Sequence, residues 1–246
     1  MSSDAADRQP FLAETEQPRE FQEWMDAYWA KDILELFRLE RRQSFQRLLE
    51  LLLMQSGGIF EATALARPVE ASRQTVMNYL AVLEATFVMH VVRPYAAAGA
   101  AEITSAPRVY GFDTGFVCHF REWDHPRESE LGLLWEHLVL NELYAQIGRA
   151  RVHYWRTKHG NEVDFVVTTA REAPMVIECK WTADQFDPAG LQAFRRRYHS
   201  GRNLVIASDV DRGYSKRFGA QTVRFEGLAT LRATLTSGKG KSSRES

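Results

Sequence analysis

Beyond Glu130 the sequence alternates short apolar runs with longer amphipathic stretches, a pattern met most simply by a mixed sheet covered by helices. Residues 133–147 have the spacing of an amphipathic helix. Residues 153–155 and 163–167 read as strands, with Gly160-Asn161 turning the chain between them. Residues 175–181 read as a further strand, 188–198 as a helix and 203–207 as an apolar strand. Residues 223–225 and 228–235 close the unit.

Two of these strands carry charge where an apolar strand should not. In Glu162-Val163-Asp164-Phe165-Val166-Val167 an acid sits at the head of the run, and in Val176-Ile177-Glu178-Cys179-Lys180-Trp181 an acid and a lysine interrupt it. Residues two apart on a strand share a face, so Glu178 and Lys180 project together and Cys179 faces the packed side. If the strands pair through a turn near residues 168–174, Asp164 reaches the same face.

Three ionisable groups on one half-buried face cost desolvation energy unless something compensates. A divalent metal such as Mg²⁺ or Mn²⁺ compensates two carboxylates, here Asp164 and Glu178, and takes its remaining ligands from water and phosphate. Such an ion polarises a phosphodiester, while Lys180 offers charge to the attacking water. Glu136, on the preceding helix, is a further candidate acid. An acid-x-Lys triplet alone is weak, since about one is expected by chance in a chain of this composition. The strand–turn–strand context adds weight. On the residues alone, a metal site and a plain Glu–Lys pair on an exposed strand both stand.

The first part of the chain reads as helical. Phe21, Trp24, Tyr28, Ile33, Leu36 and Phe37 recur at helical intervals, as do Phe45, Leu48, Leu49, Leu52 and Leu53, the second series ending at Gly57-Gly58. A short helix near residues 61–67 stops before Pro68. Ser72 then reads as the N-cap of a helix with Val76, Leu80 and Leu83 on one face. Short helix, tight connection and longer helix is the helix-turn-helix layout. Strands at 87–92 and 108–112, joined by an Ala-rich loop, supply a candidate wing. Arg73, Gln74 and Asn78, on the outer face of the Ser72 helix, are the candidate nucleic-acid contacts.

Composition limits the function. A formal net charge of −1 over 246 residues gives no global basic footprint, although 25 of the 31 cationic residues are arginine, so nucleic-acid contact has to be local. Arg195-Arg196-Arg197 reads as a solvated helix face. Two cysteines make neither a disulfide framework nor a zinc site. The absence of any apolar run near membrane length and of a basic-then-apolar leader points to a cytoplasmic protein without a membrane partner.

The run Tyr154-Trp155-Arg156-Thr157-Lys158-His159-Gly160-Asn161-Glu162-Val163-Asp164-Phe165-Val166, followed by Val176-Ile177-Glu178-Cys179-Lys180, resembles a family of prokaryotic domains that sit C-terminal to AAA-type ATPase modules. Val109-Tyr110-Gly111-Phe112-Asp113-Thr114-Gly115, Trp135-Glu136-His137-Leu138-Val139-Leu140-Asn141-Glu142-Leu143 and Tyr28-Trp29-Ala30-Lys31-Asp32-Ile33 resemble its flanking motifs. The resemblance implies an α/β fold of the PD-(D/E)XK restriction-endonuclease-like kind, preceded by a winged helix-turn-helix-like domain. The expected division is a disordered lead over 1–20, the helical domain over 21–115, the nuclease-like domain over 116–235 and a disordered tail over 236–246. It places catalytic roles on Glu136, Asp164, Glu178 and Lys180, with Asp164 and Glu178 as metal ligands. No G-x-x-x-x-G-K-[ST] phosphate loop is present, so the chain is not an ATPase by that route. Two functions remain open. One is a metal-dependent DNA endonuclease. The other is a non-catalytic DNA- or protein-binding module, including a regulatory partner of a separate AAA-type ATPase.

Overall fold

The computed structural model describes residues 41–95, 106–169 and 173–237. The expectations for a helix through Phe21–Phe37 and for a disordered lead over 1–20 lie outside the described residues, as do residues 96–105 of the Ala-rich loop and residues 238–246 of the tail. Residues 236 and 237, expected to open the tail, belong instead to the last helix. Within them the architecture is mixed α/β. Seven helices accompany one nine-stranded mixed sheet.

The helical part behaves as its periodicity predicts. Helix α1 (Arg42–Met54) buries Phe45, Leu48, Leu49, Leu52 and Leu53 along one stripe. Each such side chain contributes roughly 1.5–3 kcal/mol of apolar burial before entropy is counted. Helix α2 (Ala62–Ala66) is a single short turn, and α3 (Arg73–Ala85) follows it. Ser72 caps α3, its Oγ accepting the Thr75 amide at 3.0 Å. Val76, Leu80 and Leu83 are buried on the face that was expected to carry them, and Tyr79 meets Phe45 edge-on at 5.2 Å. This first core also takes Met89, Val91 and Val109 from the strands behind it, with Val88 just ahead of the strand that Met89 opens.

Strands β1 (Gly58–Ile59), β2 (Met89–Pro94) and β3 (Arg108–Gly111) pair antiparallel in the order β1–β3–β2. The β2–β3 hairpin proposed as a wing is present, but its other edge is not free. Arg93 and Pro94 of β2 run parallel to His153 and Tyr154 of β4 (Val152–Arg156). The helical part and the α/β part therefore share one sheet.

Its remaining order is β4–β5–β6–β7–β9–β8. Strands β5 (Glu162–Val167) and β6 (Met175–Lys180) are antiparallel neighbours. Between β4 and β5 the chain turns at Gly160 (φ 86°), where the Thr157 amide bonds the Asn161 carbonyl at 2.8 Å. Strand β7 (Asn203–Ala207) lies parallel to β6, and β9 (Gln221–Glu226) parallel to β7. The edge strand β8 (Tyr214–Phe218) went unread in the sequence because Ser215, Lys216 and Arg217 leave it no apolar alternation.

Helix α4 (Thr114–Phe120) and the long α5 (Glu128–Ile147) connect the two parts. Leu140 and Leu143 of α5, with Leu231 of α7 (Leu228–Ser237), pack on one face against Phe165, Ile177 and Ile206. The opposite face is covered by α6 (Ala189–Arg197) through Leu191 and Phe194, packed with Trp155, Val176 and Val205. Trp155 and Cys179 are core residues, as expected.

The triplet Arg195-Arg196-Arg197 departs from the solvated-face reading. Arg196 and Arg197 are exposed, but Arg195 is buried. Its Nε donates to Asn203 Oδ1 at 2.6 Å, Nη2 to the carbonyls of Pro174 and Arg202, and Nη1 to those of Tyr198 and Ser200. Helical spacing cannot reveal a cation recruited to satisfy loop carbonyls.

Candidate active site

The charged face forms where β5 and β6 adjoin. The register that sets Phe165 opposite Ile177 and Val166 opposite Val176 brings Asp164 alongside Glu178. Lys180 Nζ lies 2.9 Å from Glu178 Oε2 and 3.4 Å from Asp164 Oδ2, so one ammonium bridges both carboxylates. The Cys179 amide donates to the same Asp164 oxygen at 2.8 Å. Asp164 and Glu178 are only 9% and 6% exposed, while the Lys180 side chain keeps 23%, so the lysine is the site's solvent-facing member.

Glycine lets α6 close over this face. A Cβ on Gly190 would sit 2.1 Å from the Glu162 carbonyl and 3.7 Å from Glu178 Oε1, so any side chain there would push the first turn of α6 off the site.

Glu136 comes from α5. Tyr110 donates its hydroxyl to Glu136 Oε1 at 2.6 Å, and Arg108 reaches the same oxygen at 3.4 Å. Arg108 Nη2 also donates to Glu162 Oε2 at 2.9 Å, and Arg156 lies 3.7 Å from that carboxylate. The Arg108 guanidinium sits over the Tyr154 ring at 5.3 Å. One turn of α5 is fixed by a second contact. His137 Nδ1 faces the Leu133 carbonyl at 2.7 Å and so carries the proton, which leaves Nε2 to accept the Ser56 hydroxyl at 2.7 Å. Ser56 Oγ in turn accepts the Gly111 amide at 2.8 Å.

Electrostatics separate the acids. Burial and the neighbouring Asp164 push Glu178 up to about 8 despite Lys180. Burial, again with Asp164, pushes Glu136 up to about 7, against the pull of Arg108 and the Tyr110 hydroxyl. For Asp164 burial works to raise the pKa, but Lys180, the Cys179 amide and Arg108 outweigh it and hold the carboxyl below its usual range. Burial opposes the charge on Lys180, and the two carboxylates more than offset that. Burial and Glu136 raise Tyr110 far enough to keep it a donor.

The four residues singled out as catalytic, Glu136, Asp164, Glu178 and Lys180, thus lie in one electrostatic cluster. Among the described residues no group of three or more His, Cys, Asp and Glu side chains is arranged to hold a metal ion as it stands. Arg73, Gln74 and Asn78 are exposed on α3, with Gln74 Nε2 donating to Asn78 Oδ1 at 3.0 Å. Sequence reasoning gave no role to Arg108, Tyr110 or Glu162. The available signal was Arg108-Val109-Tyr110, which puts an arginine and a tyrosine on one face of an otherwise apolar strand.

Fold and site together define a mixed α/β chain with a buried acid–lysine cluster on neighbouring antiparallel strands. Residues 9–127 match the family model of a domain of unknown function, DUF8612, and residues 131–226 match that of another, DUF4143. Uncharacterised proteins of Mycobacterium tuberculosis and Mycobacterium bovis are each 27% identical over 152 residues, covering 58% of this chain and 34% of the relative. The chain therefore spans about a third of the length of the curated relatives it matches. Among solved structures, a half-complex of Thermococcus gammatolerans McrB AAA+ hexamers with bound McrC is 9% identical. The match covers 77% of this chain and 52% of that one at a TM-score of 0.34, too low to establish a shared fold. No helix among the described residues is long and apolar enough to cross a membrane.

Proposed function

We propose that the cluster is a PD-(D/E)XK-type site for metal-dependent hydrolysis of DNA phosphodiesters. The observation that carries this reading is the bridge of Lys180 between Asp164 and Glu178 on adjoining strands. Two hard carboxylate oxygens converging on one cationic point suit a divalent ion on the chemistry of the donors. Mg²⁺ takes few protein carboxylates and completes its shell with water and phosphate. Burial, with Asp164 alongside, raises Glu178 to about 8, the kind of perturbed carboxyl that functional sites concentrate. Asp164 and Glu178 would hold Mg²⁺ or Mn²⁺, which supplies a polarised phosphoryl oxygen and an acidified water. Lys180, the least buried member, stabilises charge developing on the phosphate, and Glu136 is the auxiliary acid.

In this reading the helical part is winged helix-turn-helix-like, and the exposed Arg73, Gln74 and Asn78 contact DNA. The proposed division near residue 115 falls inside the first family match, which runs to residue 127, a few residues before the second begins at 131.

A second reading is a non-catalytic DNA- or protein-binding module acting beside a separate AAA-type ATPase. Low exposure of Asp164 and Glu178, and the lack of a phosphate loop in this chain, favour it. The deciding experiment is cleavage of supercoiled, linear and single-stranded DNA in Mg²⁺ and Mn²⁺ by the parent, Asp164→Ala and Lys180→Ala. Metal-dependent nicking lost in both variants supports the nuclease. Undiminished cutting by Asp164→Ala refutes the site, and tight low-salt binding without cutting moves the assignment to the binding module.

A further inference from the structure

In sheet order β3 lies three places from β5, yet two of its side chains end at the site's acids. Both bonds to Glu136, from the Tyr110 hydroxyl and from Arg108, fall on Oε1. Among the described residues Oε2 takes no protein hydrogen bond. One carboxylate oxygen is anchored and the other is left to the site. Arg108 makes this arrangement at a cost, because its Nε is buried with no hydrogen-bond partner while its two terminal nitrogens serve Glu136 and Glu162. A tyrosine and arginine placed only for packing would not leave a buried guanidinium donor unmet in order to reach two carboxylates.

We infer that Tyr110 and Arg108 are positioning residues. They fix the orientation of Glu136, so the strand preceding α5 completes the site from the N-terminal part of the chain. The inference rests on the nuclease reading and adds to it the residues that set Glu136. Neither side chain touches the reacting groups. They act through Glu136, by holding its free oxygen where it can meet a bound water or phosphate. The Ser56–His137–Leu133 contacts hold the same turn of α5 from the backbone side.

Action through another residue has a signature that a purely structural role lacks. Tyr110→Phe removes one hydroxyl and keeps the ring in its core position. It lowers kcat for Mn²⁺-dependent DNA cleavage about tenfold, with KM for DNA within about twofold. In a Glu136→Gln background the same substitution changes kcat by less than about twofold, because the residue it acts through has already gone. Arg108→Lys retains more activity than Arg108→Met. Full-length variants are compared, with thermal melting confirming that each is folded and Mn²⁺ binding followed by electron paramagnetic resonance.

A parent that cuts, with losses that multiply in the double variant, overturns this inference and leaves the nuclease reading standing. Parental kcat in Tyr110→Phe does the same. A parent that neither cuts DNA nor binds Mn²⁺ overturns the nuclease reading and this inference with it.

Discussion

Glu178 should make the protein less stable as pH rises through neutrality, and Glu178→Gln should remove that loss. Its carboxyl sits at about 8 in the folded chain, raised by burial and by Asp164, against an ordinary value of 4.5. Between those values the folded state binds a proton that the unfolded state has released, so stability falls with increasing pH. Other groups narrow the window in which this is readable. His90 and His137 are held down to about 4 from 6.5, chiefly by burial, so between those values the unfolded state binds more protons and stability rises with pH. Glu136 acts in the same direction as Glu178, but only up to about 7. Asp164 is shifted downward and contributes only at acid pH.

From about pH 7 to 8 the slope therefore belongs mostly to Glu178. One proton is worth about 1.4 kcal/mol per pH unit. A group at about 8 has given up half its proton by pH 8, so the change from pH 7 is about 1 kcal/mol. At roughly 2–4 °C per kcal/mol for a chain of this size, the midpoint should fall by about 2–4 °C. Melting followed by circular dichroism across that range, for the parent and Glu178→Gln, isolates the contribution as the difference between the two curves. Parallel curves would falsify the claim that burial beside Asp164 keeps a proton on Glu178, and with it the electrostatic argument for a divalent ion there. The same logic sets a metal test. Mn²⁺ should raise the parent's midpoint more at pH 8 than at pH 6, because at pH 6 binding has to expel the Glu178 proton.

Two substitutions away from the acids test the frame that holds them. Ser56→Ala leaves the Gly111 amide and His137 Nε2 without their shared partner, at an expected cost of about 1–3 kcal/mol in urea unfolding; an unchanged urea midpoint would mean water replaces the hydroxyl. Arg195→Met should destabilise by about 3 kcal/mol or more, since the Pro174 and Arg202 carbonyls and Asn203 lose a charged donor together, whereas Arg196→Met should be nearly silent.

Those two arginines mark where the sequence was legible and where it was not. Period and spacing are local, so the stripe on α1, the Ser72 cap, the Gly160 turn and the same-face pair Glu178 and Lys180 could all be read from neighbouring residues. Asp164 was placed by one further assumption, that β5 and β6 pair. Nothing local marks Arg195 as buried or β8 as a strand, because both depend on partners distant in the chain. The same holds for Arg108 and Tyr110. They meet Glu136 across 28 and 26 residues respectively, and Arg108 meets Glu162 across 54, through a strand order that no local pattern announces.

The shared sheet also bears on how the two parts could work. Had the helical part been joined to the site strands by a linker alone, it could move as a reader of DNA without disturbing the acids. Instead β2 is paired to β4, Tyr110 and Arg108 terminate on Glu136, and Ser56 is bonded to α5. Any rearrangement of α3 large enough to be felt in β2 and β3 therefore reaches Glu136 through hydrogen bonds. DNA held at Arg73, Gln74 and Asn78 would, under the nuclease reading, bind at a distance from the acids, while β3 sets Glu136. Under the nuclease reading, weakening DNA contact on α3 should raise KM while leaving the metal dependence of kcat intact, and changes in β3 should do the reverse. A variant of Arg73 that altered kcat and its metal dependence while leaving KM unchanged would contradict that division of roles.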